Sequence, residues 1–153
     1  MKNRIITDRI EIEEIILNAP FCYLSMIDKN GGPYCIPMNF GYKEGVFYFH
    51  GAKEGLKIRT LKTNPEVCIA LSTDQKLRWQ NENVACSYSM RYKSILAFGK
   101  AEFIEDPLEK KTSLDLLMSH FSKKEFKFNP PSIREVCCWK IIAERIEGRT
   151  YGY

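Results

Sequence analysis

Phe21-Cys-Tyr-Leu-Ser-Met-Ile-Asp28 and Pro33-Tyr-Cys-Ile-Pro-Met-Asn-Phe40 are two apolar segments joined by the turn Lys29-Asn-Gly-Gly32. Asparagine and glycine accept the positive φ angles that tight turns between antiparallel strands require. The sequence therefore predicts a β-hairpin at residues 21–40. Pro37 has no N–H to donate to a neighbouring strand, so the second strand is predicted to be an edge strand or to be interrupted at this residue.

The segments that follow extend the hairpin into a larger β structure. A second turn, Lys43-Glu-Gly45, leads into the aromatic strand Val46-Phe-Tyr-Phe-His50. Further strands are predicted at residues 67–72, 87–105 and 136–146. Residues 87–105 are predicted to form either one long strand or two broken strands, and Gly99 is expected to mark a bulge or a point of close packing. Residues 73–84 are polar and show no clear period, so no element is predicted there.

Helices are predicted where strands are joined or end. They lie at residues 7–18, 55–63 and 108–118. Asp8 and Glu11 have the spacing of a capping box, and Asp106-Pro107 supplies an N-cap residue followed by a proline at the first helical position. Residues 121–131 are basic, aromatic and end in proline, so a loop is expected there.

This pattern of elements indicates the fold class. About six strands, about three helices and no regular alternation of strand with helix favour a β-barrel with flanking helices over a doubly wound parallel sheet. With 153 residues the chain is long enough for one core and short for two. Residues 1–153 are therefore predicted to form a single, mainly β domain.

Composition and charge exclude several classes of protein. The 44% hydrophobic content is ordinary for a globular protein, and no apolar run approaches the about 20 residues that a membrane-spanning helix needs. The net charge of +4 is spread along the chain without a basic block, so no nucleic-acid partner is predicted. Acidic residues follow the basic N-terminus where a secretory signal would be apolar, and a cytoplasmic protein is expected.

Cysteine spacing indicates free thiols rather than a disulfide framework. No pair has the Cys-x-x-Cys spacing, and most of the cysteines lie in apolar, strand-like segments. We therefore expect buried free thiols. The six cysteines are at positions 22, 35, 68, 86, 137 and 138.

The joint between the aromatic strand and the helix that follows it is the main candidate for a binding site. Gly51, Ala52 and Gly55 allow the backbone to approach a ligand closely, and the first-turn N–H groups of a helix lack partners within the helix. Lys57 lies one turn further on, which suits a terminal phosphate. A solvated basic helix after ordinary turn glycines is the more common meaning of such a stretch.

Two further features remain open between a structural and a functional role. His50 ends a predicted strand, where a lone histidine is more often structural than catalytic, and His120 ends a predicted helix, whose negative terminus suits a histidine. An interruption of the strand at Pro37 would leave backbone groups near Met38 and Asn39 free to meet a flat polar heterocycle. A plain edge strand explains the same residues equally well.

Other chemistries find no support in the sequence. No cluster of histidine, cysteine and carboxylate residues has metal-ligand spacing, so no metal site is predicted. No Gly-x-Ser-x-Gly, no P-loop and no Gly-x-Gly-x-x-Gly is present. The residues alone therefore indicate a β-rich domain with a candidate phosphate site.

Several motifs nevertheless have a familiar order and spacing. The chain resembles the nitroimidazole-resistance (Nim-type) branch of the pyridoxamine 5′-phosphate oxidase-like flavoproteins over residues 5–149. The segments that carry the resemblance are Ile36-Pro-Met-Asn-Phe-Gly-Tyr42, Val46-Phe-Tyr-Phe-His-Gly-Ala-Lys-Glu-Gly-Leu-Lys57, Asn64-Pro-Glu-Val-Cys68, Ser89-Met-Arg-Tyr-Lys-Ser94 and Gly99-Lys-Ala-Glu-Phe103.

The resemblance implies a fold, an assembly and a cofactor. The fold would be a six-stranded antiparallel split β-barrel of Greek-key type, and the assembly a homodimer with two flavin sites at the subunit interface. FMN would be the usual cofactor, with FAD as the alternative. True pyridoxamine phosphate oxidases have an Arg-x-Val-Leu-Leu-Lys type segment where this chain has Cys35-Ile-Pro-Met-Asn-Phe40. Oxidation of vitamin B6 is therefore not expected.

The resemblance also assigns roles to individual residues. Lys57 would bind the flavin phosphate, and His50 would lie near both cofactor and substrate as the candidate catalytic residue. The other residues that the resemblance places around the flavin are Gly51, Ala52 and Gly55 at the ribityl phosphate, Pro37, Met38 and Asn39 along the isoalloxazine ring, and Arg91 and Ser94 across the dimer.

The function implied in this way is a flavin-dependent reductase. It would take electrons from a nicotinamide donor or another reductant and pass them to a small planar acceptor such as a nitroaromatic, with His50 donating a proton or orienting the acceptor. The alternatives are a flavin-binding carrier or redox sensor without turnover, a haem-binding split barrel that uses His50 or His120, and an interaction domain without a chromophore.

Overall fold

A computed structural model describes residues 2–153, so that Met1, the first residue of the predicted domain, lies outside the described residues. The chain is mainly antiparallel β, as expected. Its elements are β1 (Asn3–Ile6), α1 (Arg9–Asn18), β2 (Cys22–Ile27), β3 (Pro33–Met38), β4 (Gly41–Lys43), β5 (Val46–Gly51), α2 (Leu56–Thr63), β6 (Glu66–Arg78), a 3-10 turn (Ala85–Ser87), β7 (Ser89–Ile104), α3 (Pro107–Phe121), α4 (Pro130–Glu135) and β8 (Cys137–Tyr151).

The strands form one sheet of 8 strands rather than about six. The hydrogen-bonded order is β3-β2-β6-β7-β8-β5-β4, and β1 pairs with the end of β8. The strands that the prediction missed, β1 and β4, span 4 and 3 residues, too short to show an alternating pattern. Among residues 2–153, β3 and β4 stand at opposite ends of this order and do not pair.

The predicted hairpin is present, and its proline lies on an edge. β2 and β3 pair from Cys22 with Met38 to Ile27 with Pro33, and β3 has no second neighbour. The carboxylate of Asp28 stabilises the turn by accepting hydrogen bonds from the backbone N–H of Asn30 and of Gly32, both at 2.8 Å. The edge position explains how Pro37 is accommodated without a break in the strand.

The long strands depart from the sequence prediction at their ends. β6 continues through Arg78 into the polar stretch where no element was predicted, because it pairs with the start of β7 as far as Arg78 with Ser89. β7 is one continuous strand, and its register shifts between Phe98 and Gly99, which confirms the expected bulge. A Cβ on Gly99 would lie 2.5 Å from the carbonyl oxygen of Ile142, so the bulge requires glycine.

Helices α1 and α3 begin directly after the capping residues predicted from the sequence, Asp8 and Asp106. The Asp8 carboxylate accepts the Glu11 N–H at 3.1 Å, and the Asp106 carboxylate accepts the Glu109 N–H at 3.0 Å. The loop expected at residues 121–131 is wrong at its end, because α4 begins at Pro130. Asn129 caps this helix, so its prolines occupy the helix start rather than the loop end.

The main core lies between the inner face of the sheet and the helices α1 and α2. Its largest fully buried side chains include Trp139, Phe40, Phe47 and Phe49. Strand residues alternate between this core and the outside, as the burial of Cys22, Leu24 and Met26 in β2 illustrates. No helix in the described part of the chain is long and apolar enough to cross a membrane.

The expectation of buried thiols holds for only part of the set. All six cysteines are free, but only Cys22 and Cys138 are buried, while Cys35 and Cys86 are exposed. Cys35 occupies an outward position of β3, and Cys86 lies in the 3-10 turn between β6 and β7. Burial raises the pKa of Cys22 to about 12, so this thiol stays protonated at neutral pH.

Candidate functional site

A pocket of about 470 Å³ lies where the end of β3, the end of β5 and the start of α2 meet. The pocket brings together half of the residues predicted for the site, although they are distant in sequence. Its size lies within the range of about 300–1,000 Å³ that is usual for small-molecule sites. It is lined by Phe21, Pro37, Met38, Asn39, His50 and Lys57.

Lys57 supplies the positive charge of this pocket. Its side chain is half-buried, and its ammonium group donates a hydrogen bond to the sulfur of Met38 at 3.8 Å. A thioether is a weak acceptor. No carboxylate within residues 2–153 forms an ion pair with Lys57, so its charge is available to an anion.

The backbone beside Lys57 is shaped by glycines. A Cβ on Gly51 would lie 3.3 Å from both the Cε and the Nζ of Lys57, which shows how closely the lysine passes over the strand end. Gly55 has a φ of 130° and caps α2 without a hydrogen bond from any side chain of the described residues. Such a helix start carries unpaired N–H groups and partial positive charge. Ala52 is exposed in the turn between Gly51 and Gly55.

His50 stands near the end of β5, opposite Cys138 of β8. The residue is exposed toward the pocket that it lines, yet partial burial of the ring lowers its pKa, and the positive charge of Lys57 lowers it further. Both effects disfavour the imidazolium form. His50 is therefore neutral at pH 7, with one ring nitrogen able to accept a hydrogen bond and the other able to donate one.

The structure does not place Arg91 and Ser94 in this pocket. Both lie on β7, where odd and even positions face opposite sides of the sheet, so the two side chains project in opposite directions. The Arg91 guanidinium lies 5.2 Å over the ring of Tyr153, and its buried Nε has no hydrogen-bond partner among the described residues. Ser94 pairs with Ser72 of β6 and with Arg149 of β8.

The sequence analysis missed two aromatic residues near the site. Phe21 lines the pocket, is 42% exposed and packs edge-to-face on Tyr23 with 5.6 Å between ring centroids. Trp139 is fully buried beneath the strand end, where a Cβ on Gly51 would lie 3.6 Å from its ring. The predicted hairpin already placed Phe21, which directly precedes β2, next to the end of β3. Trp139 is close to the site only because β5 pairs with β8.

The other histidine serves a structural contact. His120 donates a hydrogen bond from Nε2 to the carbonyl oxygen of Ala19 at 2.6 Å, and its ring lies 4.5 Å from that of Phe40. This contact ties the end of α3 to the end of α1. Within residues 2–153, no group of three or more histidine, cysteine and acidic residues is arranged to hold a metal ion.

Comparisons with known proteins agree with the fold. A family model described as pyridoxamine 5′-phosphate oxidase matches residues 8–150. A crystal structure of a candidate 5-nitroimidazole antibiotic resistance protein from Bacteroides thetaiotaomicron is 42% identical, with a TM-score of 0.88 over 97% of this chain and 87% of that one. No curated protein matches the chain.

More distant structures share the fold alone. The FAD and haem binding protein from Mycobacterium smegmatis is 17% identical, with a TM-score of 0.84 over 100% of this chain and 75% of that one. A FAD-binding protein from Mesorhizobium loti is 20% identical, with a TM-score of 0.71 over 99% of this chain and 100% of that one.

Proposed function

The chain belongs to the pyridoxamine 5′-phosphate oxidase-like split-barrel family, and we propose that it is a flavin-dependent reductase of small planar acceptors such as 5-nitroimidazoles. The observation that carries this proposal is the pocket in which Pro37, Met38, Asn39, His50 and Lys57 converge. The relative from Bacteroides thetaiotaomicron, described as a candidate 5-nitroimidazole resistance protein, supports the choice of acceptor.

The residues present fit the phosphate end of a flavin. Lys57 has no acidic partner among residues 2–153, the start of α2 has no side-chain cap, and the absence of a Cβ on Gly51 leaves room beside the ammonium group. In our proposal, Lys57 and the N–H groups after Gly55 bind the phosphate. FMN is the proposed cofactor, with FAD as the alternative, because relatives of this fold are described as FAD-binding.

The remaining pocket residues would hold the ring system and the acceptor. Pro37 and Met38 end the edge strand β3, and Asn39 follows it, so the backbone groups that face away from β2 have no partner strand and are free to bind the polar edge of a heterocycle. Phe21 forms an apolar wall beside them. The redox chemistry itself belongs to the flavin ring, which carries electrons from a reductant to the acceptor.

His50 is the proposed proton donor to the acceptor. Because its pKa is lowered, the protonated fraction increases as the pH falls from neutral to below its ordinary value of about 6.5. A rate that depends on proton donation by His50 should therefore rise as the pH falls through this lowered pKa. In the variant His50→Gln, this pH dependence should disappear while the flavin stays bound.

The second part of the proposal is a homodimer with the flavin at the subunit interface. The outward face of β2, β6 and β7 carries a row in which Tyr23 pairs with Ala70 and Ala70 with Leu96. Tyr23 is 47% exposed and Leu96 is 37% exposed, so this row leaves apolar surface uncovered. Apolar surface of this kind on adjacent strands is typical of protein interfaces.

The oligomeric state is tested by light scattering during gel filtration. We expect the wild-type protein to be a dimer, Leu96→Lys to be a monomer with weakened flavin binding, and Leu108→Lys to remain a dimer. Leu108 is 76% exposed on α3 and provides the matched control. A monomeric wild-type protein that binds flavin fully would contradict the interface.

The reductase is tested with purified protein loaded with FMN. We expect a nicotinamide donor to bleach the flavin absorption in the absence of oxygen and a 5-nitroimidazole to restore it. Lys57→Ala should lose the flavin, whereas Lys62→Ala removes the same charge from the same helix and should retain it. Bound flavin that no nitro compound reoxidises would instead favour a carrier or redox sensor.

A further inference from the structure

A second cavity, of about 420 Å³, is also lined by α2 but shares no lining residue with the candidate site. It is a cleft between this helix and the β2–β3 hairpin. One wall is formed by Leu56, Arg59, Thr60 and Thr63, and the hairpin contributes the other wall. The proposed reductase function uses none of these residues.

The spacing of the helical wall places the cleft next to the phosphate site. Positions 56, 59, 60 and 63 recur at intervals of three and four residues, so they share one face of α2. Lys57 follows Leu56 directly and lines the first pocket. The first turn of α2 therefore borders both pockets, so the cleft adjoins the position proposed for the flavin phosphate.

The chemistry of the cleft suits a flat ring attached to an anion. Pro33, Tyr34 and Leu56 provide apolar surface, and Leu56 is 53% exposed. Lys29 and Arg59 provide positive charge, and neither forms an ion pair within residues 2–153. An aromatic platform with a planar guanidinium group nearby is well suited to a base and a phosphate.

Asp28, the acidic residue in the lining, already accepts hydrogen bonds from the backbone of the hairpin turn. Asp28 accepts two backbone hydrogen bonds at 2.8 Å through one oxygen, from Asn30 and Gly32. These two hydrogen bonds hold the carboxylate in the hairpin turn. Lys29 and Arg59 are positively charged and Asp28 is the single negatively charged residue of the lining, so the cleft has a net positive charge.

We propose that this cleft binds the adenylate group of a nucleotide. The identity of the nucleotide rests on the proposed flavin site, because the neighbouring phosphate position at the start of α2 determines which end of the nucleotide reaches the cleft. Two sources share this chemistry, the AMP half of FAD and the adenylate half of a nicotinamide donor. Arg59 binds its phosphate, and Tyr34 and Leu56 contact its base.

The first test uses ADP as the probe. ADP is titrated by calorimetry into the purified protein, into Arg59→Gln and into Lys62→Gln, which removes a charge from the same helix outside the cleft. We expect binding to the wild type and to Lys62→Gln, and a Kd about tenfold or more higher in Arg59→Gln, because a charge-assisted hydrogen bond to phosphate is lost. Leu56→Glu, which places a negative charge beside the base, should also weaken binding.

Absent ADP binding, or equal affinity in all of these proteins, would overturn the proposal. The source of the adenylate follows from two further measurements on Arg59→Gln. Weaker binding of FAD with unchanged binding of FMN identifies the cofactor, and a higher KM for the nicotinamide donor with unchanged flavin binding identifies the donor. If neither flavin binds the wild type while ADP does, the reductase proposal fails and the adenylate site stands.

Discussion

The substitution Gly51→Ala separates ligand binding from folding at the proposed phosphate site. The new methyl group would lie 3.3 Å from both the Cε and the Nζ of Lys57, closer than side chains normally pack. The lysine end is flexible, so the ammonium group should give way by a few tenths of an ångström rather than the backbone. Gly51 does not have a positive φ, so alanine causes no backbone strain.

Gly51→Ala should therefore weaken flavin binding without lowering the stability of the fold. Alanine in a strand is more favourable than glycine by roughly 0.5–1 kcal/mol, so the free energy of unfolding should be unchanged or slightly higher. A hydrogen bond to a charged group contributes about 1.5–3 kcal/mol. Displacing the Lys57 ammonium should therefore weaken FMN binding about tenfold to a hundredfold, since about 1.4 kcal/mol corresponds to tenfold.

A double-mutant cycle measured by FMN fluorescence quenching provides the assay. If the methyl group acts through the lysine, Gly51→Ala should cause no further loss of affinity in the Lys57→Ala background. Urea unfolding of the same proteins measures stability. Equal losses in both backgrounds, or full FMN affinity in Gly51→Ala alone, would refute this account of the phosphate site.

Two further substitutions test the electrostatics and the core. Lys57→Met should raise the pKa of His50, measured by NMR titration of the ring, because it removes a positive charge that disfavours the imidazolium. The control Lys62→Met should leave this pKa unchanged. A lower pKa of His50 in Lys57→Met would contradict the proposed effect of the lysine charge. Thr150→Val should increase the free energy of unfolding by about 1 kcal/mol, because the hydroxyl of Thr150 is fully buried without a partner among residues 2–153. Thr73→Val serves as the comparison and should lower it, since the hydroxyl of Thr73 donates to Asp74 at 3.4 Å.

Local signals in the sequence predicted the helix starts, the hairpin and the bulge. A capping carboxylate, an Asn-Gly turn and a glycine within a strand act through neighbouring atoms, so their meaning does not depend on the rest of the fold. Elements that depend on distant partners were not predictable in this way. β1 exists because it pairs with the end of β8, and the polar half of β6 exists because it pairs with the start of β7.

The site shows the same division. Lys57 and Gly51 could be proposed from their order along the chain, because strand, turn and helix are contiguous there. Trp139 comes close to the site only because β5 pairs with β8. The opposite orientations of Arg91 and Ser94 follow from β7 being one continuous strand, which the sequence left open.

The central claim is that Lys57 and the start of α2 bind a flavin. The most direct test is the absorption spectrum of the freshly purified protein, followed by release of the chromophore and measurement of its mass. We predict a flavin spectrum that is lost in Lys57→Ala and retained in Lys62→Ala. A protein that shows no flavin even after incubation with FMN or FAD, or that shows a haem Soret band instead, would contradict the claim.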